Sequence, residues 1–390
     1  EKGGEKGKPY REWDYREGRY KRNWCWVQEK PLTDSNVTEA DRLMAQYAMA
    51  LKRLKKAIQA QKPTRMAPKV RQFDGGQSNP TFRLSAGEQR YVLRTKPAPA
   101  AKLLPSAHAI DREFRVMDAL SKAGFPAARQ YALCLDEAVI GRAFYIMEYV
   151  DGRVLWDQSL PGMSNADRAA YYDEMNRVIA QLHSLDYKTA GLETFGKPGN
   201  YFDRQIGRWS KQYRASVTQP IDEMDKLMEW LPAHMPDSAR ADLTCIVHGD
   251  FRLDNCIVDP GLPRIAAVLD WELATLGDPV ADFTYHLMQW FMPVSESGAG
   301  VGSLLGHQND AGIPEFSRYV ADYCRATGRA GIPDLEVYMA YNFFRLAAIF
   351  QGILGRVRDG TAASGEASRM ALQVEPLAET AWSFARRAGA

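Results

Sequence analysis

The sequence predicts an α+β fold with two lobes, because its apolar pattern changes once along the chain. Between about residue 70 and residue 150, short runs of alternating apolar and polar residues are separated by glycine-containing turns, as in antiparallel strands. One helical pattern, Ser106 to Leu120, interrupts these runs. After Asp151 and Gly152, apolar residues recur at helical spacing over long segments. We therefore expect a small antiparallel-sheet lobe with one helix (67–150) and a larger, mainly helical lobe (151–390).

A basic extension, residues 1–66, precedes both lobes. Residues 1–71 hold 18 Lys and Arg against 9 Asp and Glu, although the whole chain has a formal net charge of +2. We interpret residues 1–36 as irregular and predict one amphipathic helix after an N-cap at Thr38. The charge allows a nucleic-acid or membrane contact, a tether to an acidic surface, docking on the acidic remainder of the chain, or a solvated extension. No aromatic–basic recognition motif accompanies it, so we expect no nucleic-acid partner.

The composition disfavours several other classes of protein. The chain has 390 residues, of which 45% are hydrophobic and 25% charged, as in globular proteins. It has no run of about 18 apolar residues, so we expect no membrane span, and its charged N-terminal residues do not resemble a secretory signal. Five widely spaced cysteines and six single histidines match neither a disulfide framework nor a zinc site. We therefore expect a cytoplasmic protein with reduced thiols.

The most specific pattern is the segment 248–255, HGDFRLDN, followed by Asp270 after two strand-like runs. Phosphoryl transfer from a nucleotide needs a carboxylate that orients the attacking hydroxyl and oxygen ligands that hold magnesium on the phosphates. Asp250 meets the first need. Asn255 and Asp270 meet the second, because Mg²⁺ prefers hard oxygen donors and usually takes only one or two carboxylates. We interpret His248 as a structural residue that hydrogen-bonds this loop.

This pattern resembles the catalytic loop of protein kinases, in the variant found in the aminoglycoside phosphotransferase family. The strings at 75–81, 103–108 and 270–279 are similar to one branch of that family, which resembles the kinase domain fused to some acyl-CoA dehydrogenases. The resemblance implies a bilobal protein-kinase-like fold that uses ATP and Mg²⁺. It also implies a small-molecule hydroxyl acceptor, such as a hydroxyacyl-CoA or a related hydroxy acid. An aminoglycoside 3'-type phosphotransferase and a catalytically silent pseudokinase or scaffold are the alternatives.

The resemblance also assigns a glycine-rich turn that covers the nucleotide phosphates. Glycines let backbone amides approach phosphate closely, although this turn is not an intact G-x-G-x-x-G sequence. We place two polar side chains at its tip. The predicted phosphate contacts are Gly75, Gly76, Ser78 and Asn79.

Further nucleotide-binding residues follow from the same resemblance. Arg94 stands where kinases place a phosphate-binding lysine, and Lys96, two residues later, is the competing candidate. Arginine and lysine are not equivalent at such a position. Glu113 stands where the family supplies the partner of that cation, and Glu148 and Val150 stand at the hinge whose backbone groups take adenine.

Two segments around the catalytic loop complete the predicted site. Arg252 lies two residues after Asp250, where protein kinases hold a phosphate-contacting lysine, so the resemblance implies that it neutralises γ-phosphate charge. Asp278 followed by Pro279 suits a helix N-cap with proline at the first helical position. We interpret Asp282 as a buried brace on the catalytic loop, and we expect the acceptor in the helical lobe.

Overall fold

The computed structural model describes residues 9–14, 19–24, 69–73, 79–97, 109–236, 243–293, 302–359 and 372–390. The chain divides into two compact units, 1–55 and 56–390. The first unit contains an antiparallel hairpin of β1 (Pro9–Asp14) and β2 (Arg19–Trp24). The prediction of an irregular segment there is wrong, because backbone pairing forms these strands without the aliphatic alternation that marks a strand in sequence. The helix predicted after Thr38 lies outside the described residues.

The second unit begins with a five-stranded antiparallel sheet in the order β3-β4-β5-β7-β6. Its strands are β3 (Lys69–Gln72), β4 (Thr81–Ala86), β5 (Gln89–Thr95), β6 (Gln130–Cys134) and β7 (Phe144–Glu148). Helix α1 (Ile110–Lys122) packs on β6 and β7 and buries Val116 and Leu120. The structure therefore confirms a small antiparallel sheet with one helix.

Among the described residues of the larger lobe, seven helices predominate, and their bounds confirm its mainly helical character. They are α2 (Asn165–Ser184), α3 (Tyr201–Ser216), α4 (Asp222–His234), α5 (Pro279–Leu287), α6 (Phe316–Ala326), α7 (Leu335–Arg358) and α8 (Val374–Arg387). Helix α7 packs against α3, α5 and α8 and forms the centre of this lobe. In the described part of the chain, α7 alone is long and apolar enough to cross a membrane, but 83% of its apolar window is buried inside the protein, as in a core helix.

In the described residues, five short strands of the larger lobe carry the loops of the candidate site. They are β8 (Arg153–Val154), β9 (Cys245–Val247), β10 (Cys256–Val258), β11 (Ile265–Val268) and β12 (Thr275–Gly277). Strand β10 pairs with β8 and β11, and β9 pairs with β12. Because β10 and β11 are antiparallel, the residue before β10 lies beside the residue after β11, and the Leu269 amide donates to the Asn255 carbonyl at 2.7 Å. This pairing brings Asn255 and Asp270 together.

Candidate active site

The catalytic loop follows β9 directly and turns at Gly249. The φ of Gly249 is +83°, and a Cβ there would lie 3.0 Å from the Leu273 carbonyl oxygen, so glycine is required. The next residue, Asp250, is held from two sides. Its Oδ2 accepts a hydrogen bond from Asn255 Nδ2 at 2.9 Å, and its Oδ1 accepts one from the Tyr285 hydroxyl at 2.7 Å. The side chain remains 20% exposed, so Asp250 is fixed in direction and accessible to an acceptor.

Asn255 and Asp270 supply oxygen atoms beside this base. The Asn255 amide nitrogen donates to both the carbonyl oxygen and Oδ2 of Asp250, at 2.8 and 2.9 Å, which leaves its Oδ1 as the remaining acceptor. Asp270 has a φ of +61°, a left-handed conformation that aspartate tolerates, and its side chain is 35% exposed. One amide oxygen and one carboxylate form the donor set that suits Mg²⁺. No group of three or more His, Cys, Asp or Glu side chains converges among the described residues.

Arg94 links the two lobes at this site. Its Nε lies 2.8 Å from Glu113 Oε2 in the small lobe, and its Nη2 lies 3.1 Å from Asp270 Oδ1 in the large lobe. Burial lowers the pKa of Arg94, but the carboxylates of Glu113 and Asp270 raise it above its ordinary value, so the guanidinium stays charged. Lys96 lies beyond the end of β5. The structure therefore places Arg94, of the two candidate cations, against Asp270.

Glu113 and Asn79 form a buried pair behind Arg94. Glu113 accepts hydrogen bonds from the Tyr145 hydroxyl at 2.9 Å and from Asn79 Nδ2 at 2.6 Å. The structure thus places Glu113 against Arg94, one of its two predicted partners. Asn79 is 1% exposed, so its side chain braces Glu113, whereas the sequence prediction places it at the tip of a phosphate-covering turn. The physical reason is that a hydrogen bond from the Asn79 amide to the buried Glu113 carboxylate stabilises the fold more than a hydrogen bond to solvent does.

Of the other predicted nucleotide contacts, the structure describes Glu148 and Val150. Glu148 ends β7 with an exposed side chain, and its amide donates to the Arg129 carbonyl at 2.8 Å. Val150 follows two residues later and is half-buried. Their assignment to adenine stays a prediction. Gly75, Gly76 and Ser78 lie outside the described residues.

Arg252 provides a second cation beside Asp250. Its Nε lies 3.3 Å from Asp250 Oδ1 and its Nη2 lies 2.9 Å from Asp254 Oδ2. Burial lowers the pKa of Arg252, whereas the carboxylates of Asp250 and Asp254 raise it above its ordinary value, so the side chain stays charged. Asp254 was missed in the sequence analysis. The signal for it was an acidic residue directly before Asn255.

His248 links Asp250 to the segment that carries Asp270. It is fully buried, and its Nδ1 accepts a hydrogen bond from the Asp250 amide at 3.2 Å. The proton therefore lies on Nε2, which donates to the Leu269 carbonyl at 2.8 Å. The predicted structural role of His248 is confirmed.

Helix α5 supports the catalytic loop through its first turns. Asp278 accepts hydrogen bonds from the amides of Val280 and Ala281 at 2.8 and 2.9 Å, and Pro279 occupies the first helical position, as predicted. Asp282 is buried and accepts hydrogen bonds from the amides of residues 248 and 249, each at 2.7 Å. The predicted brace is therefore confirmed.

Two further residues at the loop, Tyr285 and Arg345, were missed in the sequence analysis. Tyr285 lies three positions after Asp282 and so shares its helix face, which was a readable signal. Arg345 interrupts the apolar stretch of α7, and its Nη2 donates to the Gly249 carbonyl at 2.7 Å. A cation inside a buried helix is rare enough to be a signal by itself.

A bilobal kinase-like fold in which Asp250, Asn255 and Asp270 lie close to two arginines is characteristic of phosphotransferases. The family model for the phosphotransferase enzyme family matches residues 69–338. The chain belongs to this family.

Comparison with known proteins gives the same result. Acyl-CoA dehydrogenase family member 10 from Mus musculus is 45% identical over 322 residues, which is 82% of this chain and 29% of that protein, so the chain spans less than a third of that relative. A crystal structure from Ralstonia eutropha, assigned as an aminoglycoside phosphotransferase, is 50% identical with a TM-score of 0.75, and the match covers 86% of this chain and 98% of that one. Choline kinase from Cryptosporidium parvum shares the fold, at 12% identity and a TM-score of 0.59, over 87% of this chain and 97% of that one.

Proposed function

We propose that this chain transfers the γ-phosphoryl group of ATP to a hydroxyl group of a small molecule, with Mg²⁺ as the metal. The observation that carries the proposal is the Asp250 carboxylate. It is accessible, it is held between Asn255 Nδ2 and the Tyr285 hydroxyl, and it lies next to the segment that carries Asp270. A base beside oxygen ligands for magnesium is what phosphoryl transfer requires.

Each of the predicted catalytic and metal-binding residues then has a role in the transfer. Asp250 orients the acceptor hydroxyl and takes its proton as the new oxygen–phosphorus bond forms and the bond to ADP breaks. Arg94 and Arg252 neutralise charge on the phosphates. Asn255 Oδ1 and the Asp270 carboxylate would hold Mg²⁺, which, when bound, neutralises phosphate charge. The complete set disfavours a catalytically silent scaffold.

For the acceptor, we propose a hydroxyacyl-CoA or a related hydroxy acid. The 45% identity to a protein named as an acyl-CoA dehydrogenase supports it, because a domain joined to such an enzyme meets acyl-CoA chemistry. An aminoglycoside acceptor is the second candidate, supported by the 50% identity to the Ralstonia eutropha protein. A shared fold alone does not choose between them.

The test measures ADP formation from MgATP with β- and γ-hydroxybutyryl-CoA, kanamycin and choline. We expect a hydroxyacyl-CoA to stimulate turnover, and Asp250→Asn to lower it by about a hundredfold to ten-thousandfold. Asp259→Asn, in the exposed turn between β10 and β11, is the matched control and should keep wild-type turnover. Stimulation by kanamycin alone would favour the aminoglycoside candidate. Equal rates of ADP formation for wild type and Asp250→Asn would indicate a catalytically silent scaffold.

A further inference from the structure

One face of helix α5 contacts four consecutive residues of the catalytic loop. Asp282 accepts hydrogen bonds from the amides of residues 248 and 249, the Tyr285 hydroxyl donates to Asp250 Oδ1 at 2.7 Å, and His286 Nδ1 lies 3.3 Å from the Phe251 carbonyl oxygen. Residues three and four positions apart share a helix face. A single rigid helix therefore sets the position of the loop, and Tyr285 is the residue on it that reaches the reacting carboxylate.

Arg345 of helix α7 also holds the catalytic loop and the Tyr285 ring in place. Its guanidinium is buried, Nη2 donates to the Gly249 carbonyl at 2.7 Å, and Cζ lies 4.9 Å from the centre of the Tyr285 ring. Its Nε has no hydrogen-bond partner in the described part of the chain. Burying a guanidinium costs free energy, which a carbonyl and an aromatic face offset only in part. Arg345 therefore contacts two neighbours of Asp250. One is the carbonyl of the preceding residue, Gly249, and the other is the ring of Tyr285, whose hydroxyl donates to Asp250.

We propose that Tyr285 and Arg345 are positioning residues for the phosphoryl-transfer step. Tyr285 holds the Asp250 carboxylate in one rotamer, so that the remaining lone pair of Oδ1 faces the acceptor hydroxyl. Arg345 fixes both the Tyr285 ring and the Gly249 carbonyl. The inference rests on the proposed function, since it concerns the same base.

The chemistry of the phenol fits this role. Burial, followed by the Asp250 carboxylate, raises the pKa of Tyr285 above its ordinary value, so the hydroxyl stays protonated and donates. Misplacing a base by a fraction of an ångström slows a step that depends on alignment. Because the site for nucleotide phosphates is formed by other residues, the loss should appear in kcat and not in the KM for ATP.

The experiment compares Tyr285→Phe and Arg345→Lys with wild type. It measures Asp250-dependent ADP formation from MgATP, with the hydroxybutyryl-CoA isomers or, if none is an acceptor, with water. We expect Tyr285→Phe to lower kcat by about tenfold to a hundredfold with the KM for ATP within about twofold. Arg345→Lys should lower kcat less, and should add little in the Tyr285→Phe background, because both act on one carboxylate.

Tyr172→Phe is the matched control. Its buried hydroxyl donates to the Gln158 carbonyl at 2.8 Å, so the same atom is lost away from Asp250. We expect this control to retain wild-type kcat. If kcat of Tyr285→Phe stays within about twofold of wild type, or falls no further than that of the control, the positioning role is refuted.

A structural readout separates this inference from the proposed function. In a crystal structure of Tyr285→Phe we expect the Asp250 carboxylate in more than one rotamer. If wild type shows no turnover that depends on Asp250 with any acceptor or with water, the proposed function fails by itself. In that case a single unchanged Asp250 rotamer in the variant overturns the positioning role as well, and several rotamers support it.

Discussion

Replacing Asp282 by asparagine should destabilise the large lobe, because three donors converge on this one carboxylate. The amides of His248 and Gly249 donate to it at 2.7 Å, and His183 Nε2 lies 3.2 Å away. An asparagine of the same shape presents one oxygen and one NH₂ group. At least one of the three donors would then face another donor in a buried site.

The magnitude follows from these contacts. A hydrogen bond to a buried charged group contributes about 1.5–3 kcal/mol, and a buried donor left unpaired adds a similar cost, so we expect a loss of about 3–5 kcal/mol. That is a large part of the roughly 5–15 kcal/mol by which domains are stable. For a lobe of this size it corresponds to a fall in Tm of roughly 6–10 °C.

The pH dependence gives a second measurement. Burial raises the pKa of Asp282, but the hydrogen bonds from His183 and from the His248 amide lower it, and the net pKa lies below its ordinary value. A carboxyl with a lowered folded-state pKa stabilises the protein above the unfolded-state pKa, and this contribution is lost as the pH falls through the folded-state pKa. The difference between wild type and Asp282→Asn should therefore be full at pH 7 and shrink below about pH 4.

The assay is thermal unfolding followed by circular dichroism between about pH 3 and pH 8, with Asp259→Asn as the control. Asp259 lies in an exposed turn, where it accepts hydrogen bonds from the amides of Gly261 and Leu262, and its replacement should leave Tm almost unchanged. If Asp282→Asn melts with wild type at pH 7, the account of α5 as the support of the catalytic loop is incorrect.

Three further outcomes are expected. Arg94→Lys should raise the KM for ATP by about tenfold, since one ammonium cannot span Glu113 and Asp270 as the guanidinium does; an unchanged KM would argue against this link between the lobes. Asp270→Asn should lower kcat by about a hundredfold or more, and EDTA should stop the wild-type reaction until Mg²⁺ is restored; full activity in EDTA would exclude the metal role. Burial lowers the pKa of His286 from 6.5 to about 4, so wild type should lose roughly 3 kcal/mol of stability as the pH falls from 6.5 to 4. His286→Gln should reduce this pH dependence of the free energy of unfolding, measured by urea titrations at several pH values. An equal pH dependence in wild type and variant would contradict the prediction.

The sequence alone predicted those parts of the site in which residue types and short spacings carry the chemistry. The predicted base and the two predicted oxygen ligands lie within 20 positions, and strand pairing between β10 and β11 brings Asn255 beside Leu269, the residue before Asp270. The cap at Asp278 and the brace at Asp282 were also readable, because a helix N-terminus has a local pattern. The positions of these residues could be predicted because strand pairing and helix caps follow from the pattern of neighbouring residues.

Only the tertiary structure decided which long side chains reach the site. Arg94 meets Asp270 across 176 positions, and Arg345 meets Gly249 across 96. Asn79, predicted for the phosphate turn, instead braces Glu113. Such contacts depend on how two lobes and several helices pack, and a pattern of period two or 3.6 reports which face a residue occupies but not which distant group lies opposite it. The sequence therefore predicted the residue types of the loop and its brace on α5, and packing decided which distant side chains contact them.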